Sequence, residues 1–363
     1  MKKSLIALAA LGAFAGAASA QSSVTLYGLV DLSYQYTKAG DDAPLAGDSV
    51  SRLTDGTAYG PGSRWGLRVS EDLGSGLKAN VVLESGFNAD DGTGAQGALF
   101  GRQAFVSLAS AVAGEVRLGR QYTLHDEVQV LNNPFGNSTV LNPGAGAFGN
   151  TAAGRVPLFI DAVRQNNAIQ YISPSFGGFR LQGMVALDES SGTGTGTDRY
   201  YGIKGTYGQG PLNVALSYEQ SKDKDGGAGG GTVNKIASLG ANYDFGVAKV
   251  FAGYQQGKDL AAGPGFAGSL ATPDLVGAVT KLKAFTVGAS VPFGAFTVGA
   301  NYTKSKLENA AGADTDLAKA GLVATYSLSK TTTVYTGYAQ ALGDLKDDVN
   351  EKRVFQLGLR KAF

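Results

Sequence analysis

Along most of the chain apolar and polar side chains alternate residue by residue, the period that sends them to opposite faces of an extended strand. In the first such segment Val24, Leu26, Gly28, Val30, Leu32 and Tyr34 share one side, while Thr25, Tyr27, Asp31 and Ser33 share the other. Further on, Trp65, Leu67 and Val69 oppose Arg64, Arg68 and Ser70, and Leu77, Ala79, Val81, Leu83 and Phe87 oppose Lys78, Asn80 and Glu84. Near the far end Phe296, Val298, Ala300 and Tyr302 oppose Thr297, Gly299, Asn301 and Thr303. Two kinds of connection separate the segments. Short ones, rich in Gly, Pro and Asp, occupy residues 72–76, 109–114, 174–178, 209–211, 244–247, 292–295 and 327–330. Long polar ones occupy residues 38–62, 90–98, 123–163, 188–197, 221–232, 258–279, 307–314 and 342–351.

The two kinds alternate strictly, long first, so fifteen connections predict sixteen strands. A strand of ~11 residues suits a tilted crossing of a bilayer, whereas strands of soluble sandwiches average about 5–6. Alternation alone does not separate a soluble sheet from a lipid-embedded one. The strand count, the segregation of long loops to one end and the leader at the start of the chain together do. The predicted fold is all-β: a transmembrane 16-stranded antiparallel β-barrel with an apolar skin, a polar bore, long external loops and short periplasmic turns. Tyr34, Phe87, Tyr122, Phe179, Phe245, Phe293 and Phe355, near strand ends, suit aromatic girdles at the two interfaces.

The first 20 residues read differently. Lys2 and Lys3 precede an apolar run too short to span a membrane, and Ala18-Ser19-Ala20 forms a cleavage site before Gln21. A cleaved signal peptide at 1–20 and a single barrel domain at 21–363 are therefore expected. Of the 363 residues 54 are glycine, which fits turns and strands better than helices. There is no Cys and one His, so neither a thiolate site nor a site of two imidazoles can form. No metal, cofactor or catalytic residue is expected. Without Lys2 and Lys3 there remain 29 basic against 30 acidic side chains, a balance that gives no support to a nucleic-acid partner.

Several stretches carry a resemblance. Ser22-Ser23-Val24-Thr25-Leu26-Tyr27-Gly28, Ser63-Arg64-Trp65-Gly66 with Ser70-Glu71-Asp72-Leu73-Gly74, residues 114–122 (GEVRLGRQY), Ala168-Ile169-Gln170-Tyr171-Ile172-Ser173-Pro174 and Gly358-Leu359-Arg360-Lys361-Ala362-Phe363 stand in one order along the whole mature chain. Together they resemble the general diffusion porins of Gram-negative bacteria, most closely the β-proteobacterial trimeric type. The resemblance implies a homotrimer in the outer membrane, contact with its lipids and lipopolysaccharide, and a third long loop folded into each lumen. It also implies that Phe363, with Leu359, Leu357 and Phe355, forms the signal read by the outer-membrane assembly machinery. Lys361 departs from the generic signal, which often has an apolar residue there.

That third connection, residues 123–163, holds no charged side chain between Val128 and Gly154. Enteric relatives carry a Pro-Glu-Phe motif at its tip; here Asn133-Pro134-Phe135-Gly136 lacks the carboxylate. Asp126, Glu127 and Asp161 are its acids. By motif matching, Arg64, Arg102, Arg120 and Arg155 fall where such porins cluster arginines, with Arg164 close by. Alternation aims Arg64 inward, but Arg102 shares parity with Ala104, Val106 and Leu108, so its placement rests on the resemblance. Always-charged guanidinium groups in a narrow throat focus a positive potential. The expected function is passive diffusion of small hydrophilic solutes and inorganic ions, with weak anion selectivity. A substrate-selective channel for anionic solutes is the alternative, and the external loops could also serve as adhesin or phage receptor. His125 beside Asp126 and Glu127 reads as a solvated or packed residue. The charge runs Lys222-Asp223-Lys224-Asp225 and 344–352 read as solvated loop faces.

Overall fold

The computed structural model of the chain describes residues 22–43, 49–55, 62–134, 150–151, 154–155, 158–160, 164–187, 199–222, 233–260 and 279–363. The expected leader, 1–20, lies outside them. In chain order the strands are β1 (Ser23–Lys38), β2 (Ser49–Asp55), β3 (Arg64–Gly74), β4 (Leu77–Gly86), β5 (Gln103–Ser110) and β6 (Gly114–Tyr122), followed by the helix α1 (Leu124–Leu131). Then come β7 (Asn150–Thr151), β8 (Gly154–Arg155), β9 (Arg164–Ile172), β10 (Phe179–Ala186), β11 (Arg199–Gln209), β12 (Leu212–Lys222) and β13 (Val233–Asp244). The last are β14 (Lys249–Lys258), β15 (Val279–Phe293), β16 (Phe296–Asn309), β17 (Asp314–Ser327), β18 (Thr332–Gly343) and β19 (Arg353–Ala362).

Sixteen antiparallel staves result. β2 and β3 both pair with β1, over Lys38↔Ser49 to Leu32↔Asp55 and then Leu29↔Arg64 to Ser23↔Ser70, so they form one stave in two pieces. β7 and β8 pair only with each other, inside the third long connection. β19 returns to β1 from Leu29↔Ala362 to Lys38↔Arg353 and closes the cylinder. Gly28 and Phe363 complete the seam by exchanging two backbone hydrogen bonds of 3.0 Å. Closure is what a bilayer demands, because hydrocarbon offers an unpaired strand edge no partner.

All seven short turns fall where the sequence puts them. Between β3 and β4, Ser75 and Gly76 both have positive φ (52° and 75°), as a two-residue type I′ hairpin requires. Two long connections need correction. Residues 38–62 are not loop throughout, since β2 lies within them and pairs with the outer half of β1. The connection placed at 307–314 shrinks to four residues, because β16 and β17 each run 14 residues and project as a hairpin. The exposed ion pairs Lys304–Asp316 and Lys306–Asp314 lace that hairpin near its tip, and Lys281–Glu308 ties it to β15.

The faces sort as predicted. Ile203, Leu216, Leu357 and Leu359 are more than half exposed on the outside, while Ser217, Glu219, Gln255 and Asn301 are buried within. Aromatics gather at the turn end, where Phe179 meets Tyr207, Tyr243 meets Phe245 and Phe296 meets Tyr326, with ring centroids 4.4–4.6 Å apart. Tyr122 is not a girdle residue: its hydroxyl accepts hydrogen bonds from Arg102 and Arg164. Among the described residues no helix is long and apolar enough to cross a membrane; the strands do the crossing.

A Cβ at Gly28 would lie 2.6 Å from the Arg64 carbonyl oxygen and 2.5 Å from the Phe363 ring, whereas one at Gly183 would meet nothing within 4 Å. Gly28→Val should therefore cost about 1–3 kcal/mol through overpacking of the seam. It should lower by several degrees the temperature at which the barrel loses its compact mobility in unheated detergent gels, with Gly183→Ala unchanged.

Candidate functional site

The third long connection begins where β6 ends and crosses the bore. Its helix α1 is only eight residues, too short to be stable alone, and it is held by packing against β11, β12, β13 and β14. Glycines on the inner face of that wall make room for it. A Cβ at Gly202 would strike Leu124, one at Gly240 the Val128 carbonyl, and one at Gly253 the side chain of Asn132. Polar anchors fix the register. The Tyr200 hydroxyl accepts from the Leu124 amide at 3.2 Å, and Asn242 donates to the Leu131 carbonyl at 3.0 Å. His125 Nδ1 lies 2.5 Å from Glu219 Oε2, both side chains buried, and Lys204 pairs with Glu127. Asp126 and Glu127 stand in the first turn, the end where the helix dipole favours negative charge.

The returning segment is tied to the same wall. Leu158, Phe159 and Ile160 are fully buried. Gln255 accepts from the Ile160 amide at 2.6 Å, and Gln129 of α1 donates to the Ile160 carbonyl at 2.9 Å. Around them Ile236, Leu282, Ala284, Leu307 and Leu317 form an apolar shelf within the bore. A uniformly polar interior, as the alternation rule expects, gives way here to a small core beneath the loop.

Nearly opposite, on β3 to β6 and β9, lies an arginine cluster. Glu84 is its hub: Arg102 Nε donates to Oε1 at 2.7 Å, Arg64 Nε lies 3.6 Å from Oε2, and the Tyr27 hydroxyl donates at 2.9 Å. Arg102 reaches on to the Tyr122 hydroxyl at 2.7 Å, which also accepts from Arg164 at 3.0 Å while the Arg164 guanidinium stacks 4.6 Å above the Tyr122 ring. One carboxylate and one phenol thus hold three arginines together. Across the seam Arg360 lies in register with Asp31, whose carboxylate accepts from the Tyr335 hydroxyl at 2.7 Å.

The geometry is that of a bore narrowed between a basic wall and an inserted loop. Residues 7–346 match the Gram-negative porin family. The chain belongs to that family. It is 44% identical to outer membrane porin protein 32 of Delftia acidovorans over 71% of this chain and 70% of that one. It is 32% identical to an outer membrane porin protein of Bordetella pertussis over the full length of both. The solved structure of an anion-selective porin from Comamonas acidovorans covers 94% of this chain and 100% of its own, with TM-score 0.73 and 32% identity. The chain is thus a channel-forming barrel that crosses the outer membrane many times.

The porin brings together most, not all, of the residues the sequence singles out. Arg64, Arg102 and Arg164 form the cluster. Arg120 stands beside it without joining the Glu84–Tyr122 network: it donates to the Gly101 carbonyl at 2.8 Å and to Asn166 at 2.5 Å. Arg155 has only its backbone described, in β8, and Asp161 lies outside the described residues. Asp126 and Glu127 belong to the loop's anchorage on the far wall. His125 is a packed residue rather than a solvated one. Sequence reading missed Glu84, Tyr122, Glu219 and Lys204 as members of these networks, although alternation already put Glu84 on the inner face.

At the outer mouth of the porin residues 344–352 fold over the seam. Gly40 donates to the Val349 carbonyl and Asp42 to that of Asp347, both at 2.9 Å. This charge run is therefore partly packed, with Val349 fully buried. Burial, partly offset by Arg52 and Lys319, pushes the Glu351 carboxyl up to about 7.

Two measurements check these anchors. His125→Ala leaves Glu219 buried without its imidazole, a change that costs about 3–5 kcal/mol at such pairs; open-channel current noise should rise. Gly240→Leu should push α1 into the bore and lower single-channel conductance. For Glu351 the folded carboxyl binds its proton more tightly than the unfolded one, so the mouth contact weakens as pH rises from about 4.5 to 7 and is constant above that. Compared with the unsubstituted porin at the same pH, Glu351→Gln should slow hydrogen exchange at the Gly40 and Asp42 amides at about pH 8 and leave it unchanged at about pH 4.

Proposed function

We propose that this porin is a general diffusion channel, weakly anion-selective, through which small hydrophilic solutes and inorganic ions pass without energy coupling. The observation that carries the reading is the asymmetry of the bore. On one wall Arg64 and Arg102 pair with Glu84, and Tyr122 joins Arg102 to Arg164, while residues 128–154 of the third long connection carry no charge at all. Guanidinium groups beside a low-dielectric wall focus a field that favours anions, and at physiological salt it reaches only about 8 Å. Net charge near zero is thus a poor guide to selectivity. The similarity to a porin described as anion-selective supports the same direction.

The remaining roles follow this reading. The first 20 residues act as a cleaved export signal, and the barrels assemble as homotrimers among outer-membrane lipids and lipopolysaccharide. Phe355, Leu357, Leu359 and Phe363 share the exposed face of the last strand, where the assembly machinery can read them. Lys361, on the same face, donates to the Thr331 and Thr332 hydroxyls at the turn end, so its charge sits at the water interface rather than in hydrocarbon. The protein needs no cofactor and performs no catalysis.

The test is a reversal potential across a planar bilayer under a KCl gradient. The chloride-to-potassium permeability ratio should stand modestly above one in ~0.1 M salt. It should approach one near 1 M, as the screening length falls from about 10 to 3 Å. Arg64→Ala with Arg164→Ala, which leaves the Arg102–Glu84 pair intact, should bring the ratio to one or below. Clear cation preference in the unsubstituted porin contradicts the proposal. Saturable current block by phosphate would replace general diffusion with a substrate-selective anion channel.

A further inference from the structure

The outer face of the barrel carries a depression on its β9–β12 side. Between β9 and β12 lies a groove of about 490 Å³ with Gly183 at its floor and Tyr171, Val185, Tyr201, Ile203 and Tyr218 along its sides. The tyrosines and Ile203 are 43–58% exposed there. A Cβ at Gly183 would meet nothing within 4 Å, so the groove exists because a side chain is missing, not because the backbone is crowded. Its lining is almost wholly apolar, as suits a face turned to hydrocarbon.

The end of this groove toward the long connections is cationic. Arg199 and Lys222 are direct cross-strand partners. Alternation puts Arg199 on the face of Tyr201 and Ile203, and Lys222 on that of Gln220 and Tyr218. Each stands two residues, about 7 Å, beyond the groove's last lining residue on its own strand. Both are exposed, and neither is ion-paired with a described carboxylate. Lys222 thus ends a strand rather than belonging to a solvated loop. Two like charges held side by side above an apolar trough repel each other unless an anion lies between them. Charge complementarity therefore selects an anionic amphiphile with its head at the rim and its tail below.

We propose that this surface binds a phosphorylated, acylated lipid of the outer leaflet. Its phosphate is held by Arg199 and Lys222, and one acyl chain fills the groove over Gly183. Arginine suits the phosphate because its planar fork donates two hydrogen bonds at once. The inference rests on the outer-membrane placement, with the long connections facing outward.

The test is native mass spectrometry of the detergent-purified porin with bis-phosphorylated lipid A as the probe. Retention of one lipid per protomer is expected. Arg199→Gln with Lys222→Gln should weaken retention at least tenfold, and Gly183→Leu, which fills the trough, several-fold. Both variants should keep the unsubstituted single-channel conductance, since they alter only the outer wall. Dephosphorylated lipid A should bind at least tenfold less tightly, and inorganic phosphate should compete only weakly. Equal binding by the double variant or by the dephosphorylated lipid overturns the proposal, and so does full competition by inorganic phosphate. A changed oligomeric state in Gly183→Leu also overturns it, by showing that a second copy of the chain covers the groove. Absence of conductance in the unsubstituted protein would instead strike at the channel reading itself.

Discussion

Hydrocarbon gives a peptide N–H or C=O nothing to bond with, and this constraint organises the molecule. Every strand must find a partner on both sides, so the sheet has to meet itself. It does so between β1 and β19 over ten registered pairs, from Leu29↔Ala362 to Lys38↔Arg353, and finishes with the exchange between Gly28 and Phe363. Gly28 belongs there because its missing side chain lets the Phe363 ring and the Arg64 carbonyl come close. Once the cylinder is closed, alternation becomes a division between lipid and water. The strict succession of long and short connections follows from strands that go up and come down.

Closure fixes the skin but not the throat. Sixteen staves enclose more space than side chains can fill, so the bore is narrowed by bringing the chain back inside. That insertion requires a local exception to the barrel's own pattern. Ile236, Leu282 and Leu317 turn apolar groups inward, and a row of glycines leaves space for the helix backbone. The loop is thus seated by the same physics that builds a soluble core, inside a protein whose other apolar surface faces lipid. Its polar anchors, His125 on Glu219 and Lys204 on Glu127, pair off on that side. The Lys204 and Glu127 charges are therefore offset locally. On the arginine wall three guanidinium groups gather about Glu84 and the Tyr122 hydroxyl, and this difference between the two walls makes the bore electrostatically asymmetric.

Much of this was legible in the residues. All seven tight turns could be read because Gly, Pro and Asp mark them, and the face of each strand because lipid and water sort side chains sharply. The failures share a cause: they lie where alternation breaks. Arg102 precedes β5 in a bend, where strand parity does not apply, and it turns inward to Glu84. The β6–β9 register shifts between Gly119 and Gln121, with Asn167 at positive φ on the partner strand, and beside this irregularity Tyr122 meets the arginines. β2 was hidden because Ser49–Asp55 is mostly polar and pairs only with the outer half of β1. The His125–Glu219 contact joins residues 94 apart along the chain; no local pattern announces it.

The central claim is a closed cylinder with an apolar skin and a water-filled, loop-narrowed bore. Single-channel recording of the purified protein in a planar lipid bilayer tests it most directly. The account predicts long-lived, ohmic current steps of uniform size that appear in groups of three. Protein that stays soluble without detergent, or that enters the bilayer and carries no current, would contradict it.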